Sequence, residues 1–112
     1  MYGRTKYRAV KTVVDNIKFD SKKESVRYLE LKALEASGEI KSLSLQVPFV
    51  LLGKEKGPDG KTLREMKYIA DFVYFDKNGK MHVEDVKGMK TDVYKMKKRL
   101  MWHIHSIAIE EV

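Results

Sequence analysis

The chain has 112 residues, of which 43% are hydrophobic, and it contains no cysteine. This length and composition are typical of one compact domain spanning residues 1–112, and they exclude disulfides, cysteine-bound zinc and global disorder. No segment has the ~20 apolar residues of a membrane-spanning helix, and the first residues lack the apolar stretch of a secretion signal, so we expect a cytoplasmic protein without a membrane partner.

The chain is strongly basic. Its formal net charge is +7, and a basic domain of this size attracts polyanions, of which nucleic acid is the most common. Residues 1–11 form a basic segment that contains Arg4, Lys6 and Arg8 and no acid. Two interpretations stay open for this segment, a flexible arm that contacts phosphates and a frayed terminus.

The first predicted elements are a tight turn and a helix. Asp15-Asn16 lies between two short β-prone segments and predicts a turn, because asparagine tolerates positive φ. Ser21 and Glu24 then have the spacing of a helix capping box. Apolar residues follow at helical spacing, starting with Val26 and Leu29, and Gly38 is a natural stop, so the pattern predicts a helix over residues 21–37.

Three strands are predicted next. Residues 43–52 are rich in β-prone side chains but contain Pro48, which predicts an edge, bent or bulged strand there. Residues 64–75 and 80–87 form the second and third strands, and the turn-forming segment 76–79 joins them. The short spacing of the three strands predicts an antiparallel meander.

A second helix and a last strand complete the predicted fold. Thr91 or Asp92 can cap a helix with an apolar stripe that includes Val93, Met96 and Ile104, and residues 106–109 read as a strand. A helix that crosses between the third strand and the last makes that pair parallel. The predicted class is therefore α/β (α+β), with the order αβββαβ and a mixed four-stranded sheet flanked by helices.

Two acids stand inside the predicted strands, where aspartate is uncommon. Asp71 interrupts the second strand, and Asp85 lies in the third strand two residues before Lys87. Strand periodicity puts Asp85 and Lys87 on one face and Glu84 and Val86 on the other. Pairing about the turn at 76–79 would bring the two aspartates close together.

Two carboxylates and a nearby lysine suit phosphodiester hydrolysis. Carboxylate oxygens bind Mg²⁺ or Mn²⁺, and the bound metal activates water, while an ammonium group stabilises developing negative charge. The alternative is structural, because a surface carboxylate–lysine pair and a strand-end aspartate that meets water are both common.

The pattern Asp71, thirteen intervening residues and Asp85-Val86-Lys87 resembles the D…(D/E)-x-K signature of the PD-(D/E)xK, or restriction-endonuclease-like, nuclease superfamily. The order of elements around these residues is similar to that superfamily's αβββαβ core. Ala70 stands where the superfamily often has proline. Segments that resemble short phage-encoded nucleases, of the Holliday-junction-resolving and transposon-end-cleaving kinds, are residues 19–24, 46–49, 68–72, 84–88 and 97–100.

The resemblance implies roles for individual residues. Asp71, Asp85 and the Val86 carbonyl would bind the metal ion. Lys87 would assist water attack or stabilise charge. Glu24 would be the first-helix glutamate that completes the metal site, although the capping box by itself explains a glutamate at this position.

Further residues are candidates for contact with nucleic acid. The resemblance places Gln46 near the metal site or the nucleic-acid backbone, and the alternative is a polar residue on a half-exposed strand. A basic segment beside the site would contact phosphates, unless it is only a solvated helix face. Its members are Lys90, Lys95, Lys97, Lys98 and Arg99.

Structural roles are expected for several other conspicuous residues. Trp102 and the six methionines are assigned to the core or to an interface. Glu84 is expected to be solvated or paired with a basic side chain. His103 and His105 lack a third ligand nearby in the sequence, which argues against a metal site there.

The expected function is a phage- or prophage-type endonuclease that hydrolyses DNA in the cytoplasm of a bacterial host with Mg²⁺ or Mn²⁺ and no small-molecule cofactor. So small a chain has little surface for reading bases, which favours recognition of DNA shape, such as a branch or junction. A homodimer would supply two sites for paired cuts. The alternatives are a non-catalytic nucleic-acid-binding module on the same fold and a small structural or assembly protein.

Overall fold

Two helices flank a central four-stranded sheet in the part of the chain that the computed structural model describes, residues 11–86 and 91–112. A short hairpin precedes the first helix, and a second small hairpin follows the first long strand. The elements are β1 (Thr12–Val14), β2 (Ile17–Phe19), α1 (Lys22–Ala36), β3 (Ile40–Leu52), β4 (Glu55–Lys56), β5 (Thr62–Leu63), β6 (Met66–Asp76), β7 (Met81–Asp85), α2 (Asp92–His105) and β8 (Glu110–Glu111).

The sheet has the strand order β3-β6-β7-β8, in which β3, β6 and β7 pair antiparallel and β8 runs parallel to β7. The predicted mixed sheet and the order αβββαβ are therefore confirmed. Pro48 lies in the edge strand β3, where a residue without an N–H is tolerated. The irregularities of β3 lie at Lys41/Ser44 and Val50/Leu52, on either side of Pro48.

The predicted turns and caps are confirmed. Asp15 and Asn16 have φ values of 53° and 63°, the conformation of a type I′ turn between β1 and β2. The Ser21 hydroxyl accepts the Glu24 backbone N–H at 3.1 Å and begins α1. The left-handed Gly38, with φ 84°, ends it.

The predicted buried faces of both helices were wrong at most positions. Val26, Leu29, Val93 and Met96 are between 46% and 57% exposed. The buried residues that face the sheet are instead Tyr28, Leu31 and Met101. Tyr28 and Leu31 each follow one of the exposed residues by two positions, and Met101 follows Met96 by five. Apolar residues occur on more than one side of each helix, so spacing alone does not select the buried side.

The predicted last strand at residues 106–109 was also wrong. Ser106 adopts a left-handed conformation, with φ 56°, as the C-cap of α2, and Ile107 donates its N–H to the Met101 carbonyl at 3.2 Å. These residues therefore turn the chain back from the helix. The strand is β8, whose Glu110 and Glu111 pair with Glu84 and Asp85 of β7.

The helices pack on opposite faces of the sheet and make two cores. The α1-side core comprises Phe19, Tyr28, Leu31, Ile40, Phe72, Tyr74 and Val86. The α2-side core comprises Leu51, Tyr68, Ala70, Val73, Val83, Met101 and Ile109. Within residues 11–86 and 91–112, neither helix combines the length and apolar content needed to cross a membrane.

Strand β3 contributes to both cores and changes face at one residue. Leu43 and Leu45 pack against the α1-side core, while Val47 and Phe49 pack against the α2-side core. Alternate residues of a regular strand share a face, so the chain reverses its faces between Leu45 and Val47. The residue between them is Gln46, whose φ of 52° is in the left-handed region.

Candidate active site

Asp71 and Asp85 lie on neighbouring antiparallel strands. The register of β6 and β7 pairs Phe72 with Glu84, and Asp71 and Asp85 are the next residues of their strands beyond this pair. Both aspartates are buried, with 3% and 2% of their surface exposed. The Val86 backbone N–H donates to Asp71 Oδ2 at 2.8 Å, so the Asp71 carboxylate reaches the residue that follows Asp85.

Each carboxylate accepts a hydrogen bond from a side chain. Gln46 Nε2 donates to Asp71 Oδ1 at 3.3 Å, and the Tyr68 hydroxyl donates to Asp85 Oδ2 at 2.6 Å. Burial and the hydrogen bond to Asp85 raise the pKa of Tyr68, so its hydroxyl stays a donor at neutral pH. These donors offset part of the cost of burying charge.

Gln46 reaches Asp71 from a strained backbone. Its positive φ is uncommon for a residue other than glycine and costs on the order of 1 kcal/mol or more. The register pairs its neighbours Leu45 and Val47 with Phe72 and Ala70, which places Gln46 opposite Asp71. Of the two roles considered for Gln46, the structure therefore supports a position beside the candidate site.

Asp85 lines a pocket of about 380 Å³ between the sheet and the start of α2, here called the Asp85 pocket. Lys67 and Lys97 bring positive charge to it, and Tyr68 and Tyr94 form part of its wall. The residues that line the pocket are Lys67, Tyr68, Ile69, Asp85, Thr91, Val93, Tyr94 and Lys97. A phosphate group that approached Asp85 would therefore meet two ammonium groups.

Glu84 points to the opposite face from Asp85, as strand periodicity predicted. Its carboxylate is buried and is bound by Arg27 of α1 through two hydrogen bonds, of 2.8 and 2.6 Å. The Tyr74 hydroxyl donates to the same carboxylate. The prediction of a basic partner is confirmed, whereas the alternative of a solvated Glu84 was wrong.

Glu24 lies in the first turn of α1 and is 5% exposed. Its backbone N–H bonds to Ser21, which confirms the capping role of that serine. Arg27 follows one helical turn later on the same helix side, and it is held to Glu84. The Glu24 side of α1 is therefore packed towards β7, the strand that carries Asp85.

The described residues of the predicted basic segment line two separate surfaces. Lys97 lines the Asp85 pocket, whereas Lys95, Lys98 and Arg99 line a separate groove between α2 and residues 107–109. Lys98 is paired with Glu111 at 3.1 Å. Five of the predicted site residues lie outside the described residues: Arg4, Lys6, Arg8, Lys87 and Lys90.

Sequence reasoning missed Arg27, Tyr68, Lys67 and Tyr94. Tyr68 lies within residues 68–72, one of the segments that resemble phage nucleases. Its hydrogen bond to Asp85 could not be predicted, because that contact depends on the packing of β6 against β7. Arg27 is 57 residues from Glu84 along the chain. The one available signal was the spacing between Glu24 and Arg27, which puts both on one side of α1.

Asp71 and Asp85 fit a hard divalent cation in their donor chemistry. Mg²⁺ keeps several waters and is commonly held by one or two carboxylates, and Mn²⁺ accepts the same oxygen ligands. Among residues 11–86 and 91–112, no group of three or more histidine, aspartate or glutamate side chains is arranged to hold a metal ion. A site here would therefore rest on the aspartate pair.

A family model described as "Protein of unknown function (DUF1064)" matches residues 4–108 of the chain. The matched range includes α1, β3, β6, β7 and α2, and so it contains every side chain of the candidate site. No curated protein and no solved structure matches the chain with significant similarity. Because the family model covers almost all of the sequence, the chain belongs to the DUF1064 family.

Proposed function

We propose that this protein is an endonuclease that hydrolyses DNA phosphodiester bonds with Mg²⁺ or Mn²⁺. The observation that carries the proposal is the pair of buried carboxylates, Asp71 and Asp85, which lie next to the Phe72–Glu84 pair on adjacent strands. Two buried carboxylates on neighbouring strands repel each other when both are ionised. A bound metal ion would offset their repulsion and give both a function.

The charge around the pair favours a phosphate substrate. Lys67 and Lys97 line the Asp85 pocket, and the chain carries a net charge of +7. Lysines beside the two carboxylates attract an anion. A phosphodiester is an anion that also binds the metal ion held by such carboxylates. Resemblance to the PD-(D/E)xK superfamily at Asp71 and Asp85-Val86-Lys87 supports the same chemistry.

Each residue has a defined task in this proposal. Asp71 and Asp85 hold the metal ion, which when bound would polarise the phosphoryl oxygen and lower the pKa of a water molecule. Tyr68 fixes the orientation of Asp85 through its hydrogen bond. Lys87 stabilises the negative charge that develops on the phosphate, as the sequence resemblance implies. Glu24 supports the metal site from α1.

The same resemblance extends the proposal to biological setting and substrate shape. We infer a phage- or prophage-type enzyme acting in the cytoplasm of a bacterial host. Branched or junction DNA is the inferred substrate, and a homodimer would cut both strands of a branch.

A second candidate function is a nucleic-acid-binding module that does not cleave. The observation that favours it is the 2.6 Å hydrogen bond from Tyr68 to Asp85 Oδ2. If this contact persists when metal is supplied, Asp85 Oδ2 shares its electron density with the hydroxyl and is a weaker ligand for the metal. Such a protein would keep the basic surface and bind DNA without hydrolysing it.

The decisive experiment is a cleavage panel of four-way junction, flap, linear duplex and single-stranded DNA with Mg²⁺, Mn²⁺ or EDTA. Asp71→Asn and Asp85→Asn should abolish metal-dependent cleavage while leaving the circular dichroism spectrum unchanged. Asp59→Asn is the matched control, because this exposed loop aspartate bonds only to the Lys61 N–H within the described residues. Cleavage that persists in both site variants would falsify the nuclease assignment, and binding without cleavage would favour the module.

A further inference from the structure

An exposed tryptophan lies in a basic groove away from the aspartate pair. The groove, here called the Trp102 groove, has a volume of about 450 Å³. It is lined by Lys95, Lys98, Arg99, Trp102, Ile107, Ala108 and Ile109. Trp102 is 59% exposed, so of the two expected positions, core or interface, the core position was wrong.

The positions of the cations on α2 are regular. Lys95, Arg99 and Trp102 are spaced by four and three residues, which puts all three on one side of the helix. Lys98 is paired with Glu111. Within residues 11–86 and 91–112, no acidic partner is found for Lys95 or Arg99. Two cations thus precede an exposed indole along one side of α2, one and two helical turns towards its N-terminus.

This combination matches the chemistry of an unpaired nucleotide. A base can stack on an indole whatever its identity, and the phosphates of the adjoining backbone carry the charges that lysine and arginine bind. A base inside duplex DNA has both of its faces stacked on neighbouring bases and offers none to the indole. The groove therefore favours single-stranded over double-stranded DNA.

A second copy of this chain fits the groove less well. A twofold contact centred on Trp102 would bring Lys95 and Arg99 of one copy against the same residues of the other. Like charges brought together at an interface are costly, and each copy already carries a net charge of +7. Charge complementarity therefore selects a polyanion.

Glu111 connects the Trp102 groove to the candidate active site. Its carboxylate accepts hydrogen bonds from the Tyr94 hydroxyl at 2.7 Å and from Lys98 Nζ at 3.1 Å. Tyr94 lines the Asp85 pocket and Lys98 lines the groove. Glu111 also pairs with Asp85 in the parallel register of β8 and β7. The two sites are thus neighbours across α2.

We propose that the Trp102 groove binds an unpaired nucleotide of a single-stranded DNA segment, with the base stacked on Trp102 and the phosphates of the backbone to one side of it at Arg99 and Lys95. The proposed function is the basis for naming DNA as the nucleic acid. The substrate class that follows is DNA with a single-stranded segment beside a branch or a duplex end. The single strand occupies the groove while the phosphodiester to be cut lies at Asp71 and Asp85.

Trp102 is the only tryptophan of the chain, and so its fluorescence reports on the groove directly. The Asp85→Asn protein is titrated with a short oligothymidylate in the presence of EDTA. The substitution and the EDTA together prevent cleavage during the titration. We expect saturable quenching of Trp102. In parallel, the anisotropy of a labelled oligothymidylate gives the affinity of variants that lack the indole.

Trp102→Ala should weaken oligothymidylate binding by about 5- to 150-fold, the range for loss of one stacked base. Lys95→Ala and Arg99→Ala should weaken it less and reduce its dependence on salt. Lys61→Ala, on the β4–β5 loop, is the control of equal charge change and should leave affinity unchanged. Because Trp102 is exposed, thermal unfolding should show that the variants remain folded.

An abasic oligonucleotide of the same length separates stacking from simple charge attraction. It should bind the unsubstituted protein as weakly as oligothymidylate binds Trp102→Ala. Equal binding of the abasic and thymidine strands, or no effect of Trp102→Ala, would overturn the inference. Concentration-dependent dimerisation that shifts Trp102 fluorescence without DNA would also overturn it, in favour of a second copy.

The failure of this inference is distinguishable from the failure of the proposed function. Trp102-dependent binding in EDTA, together with no cleavage by the unsubstituted protein in metal, supports the groove and contradicts the nuclease. Metal-dependent cleavage that requires Asp85, together with unchanged binding by Trp102→Ala, supports the nuclease and contradicts the groove.

Discussion

Arg27 and Glu84 form a two-point ion pair between α1 and β7, with Nε bound to Oε1 at 2.8 Å and Nη2 bound to Oε2 at 2.6 Å. The Glu84 side chain is 1% exposed, whereas that of Arg27 is 26% exposed. The contact with Glu84 also raises the pKa of Arg27. The pair fixes the helix that carries Glu24 against the strand that carries Asp85.

Arg27→Met should lower the free energy of unfolding by about 3 kcal/mol, because it leaves the buried Glu84 carboxylate without its cation. Urea denaturation followed by circular dichroism measures the change. Glu30→Gln is the control, since Glu30 also bonds to Arg27 but is exposed, and it should cost less than about 1 kcal/mol. Equal losses in the two variants would show that the Glu84 contact adds no stability.

His82 should make stability depend on pH in the neutral to alkaline range. Its ring bonds to Asp76 Oδ2 at 2.8 Å and to Glu110 Oε2 at 2.7 Å, and it stacks on Tyr74. The hydrogen bond to Asp76, followed by that to Glu110, raises the pKa of His82. A raised folded-state pKa gives stability that is complete below the unfolded pKa of about 6.5 and is lost as the pH rises through the folded value.

The test compares the melting temperature of His82→Gln with that of the unsubstituted protein across this range. The substitution should cost more stability at about pH 6 than at about pH 9. His103→Gln is the control, because it removes an imidazole from an exposed position. The pKa of Asp76 is lowered by the same contact, so the contribution of Asp76 is lost only at acidic pH.

Tyr68→Phe should weaken Mn²⁺ binding by about 10-fold, because a hydrogen bond that orients a metal-binding carboxylate is removed. Isothermal titration calorimetry measures the affinity of each variant for Mn²⁺. Tyr74→Phe is the matched control, since it removes a hydroxyl from Glu84 on the opposite face of the sheet and should leave the affinity unchanged. Tighter binding by Tyr68→Phe would mean that the hydroxyl competes with the metal, as the non-catalytic alternative requires.

Gln46 offers a test of backbone strain beside Asp71. Because alanine is disfavoured at positive φ and glycine is not, Gln46→Gly should be more stable than Gln46→Ala by about 0.5 to 1 kcal/mol. The same pair of substitutions at Ser44, whose φ is not positive, should show the opposite order. Urea denaturation measures all four variants. The same order at both positions would contradict the left-handed conformation of Gln46.

Local signals in the sequence were sufficient for much of the fold. The cap at Ser21, the stop at Gly38 and the two-residue turn at Asp15 are decided by neighbouring residues, and so each was predictable. The placement of Asp71 and Asp85 on neighbouring strands followed from the position of the turn and from strand periodicity. These features depend on few residues and on backbone geometry that varies little between proteins.

Features that depend on packing were not predictable. Which side of α2 is buried depends on how the helix is placed on the sheet, and Trp102 was therefore assigned to the core or to an interface. The partner of Glu84 could be stated only as a basic side chain, since many were available. The start of β8 was misplaced because the left-handed Ser106 lets the chain turn before it pairs with Glu84.

The reversal of β3 at Gln46 also links the two halves of the molecule. A single continuous strand supplies Leu45 to one core and Val47 to the other. Unfolding of either core would disturb β3, which is also part of the other core. The two helices thus share one cooperative folding unit although they never meet across the sheet, and a ligand that tightens the Asp71 region would restrain both layers at once.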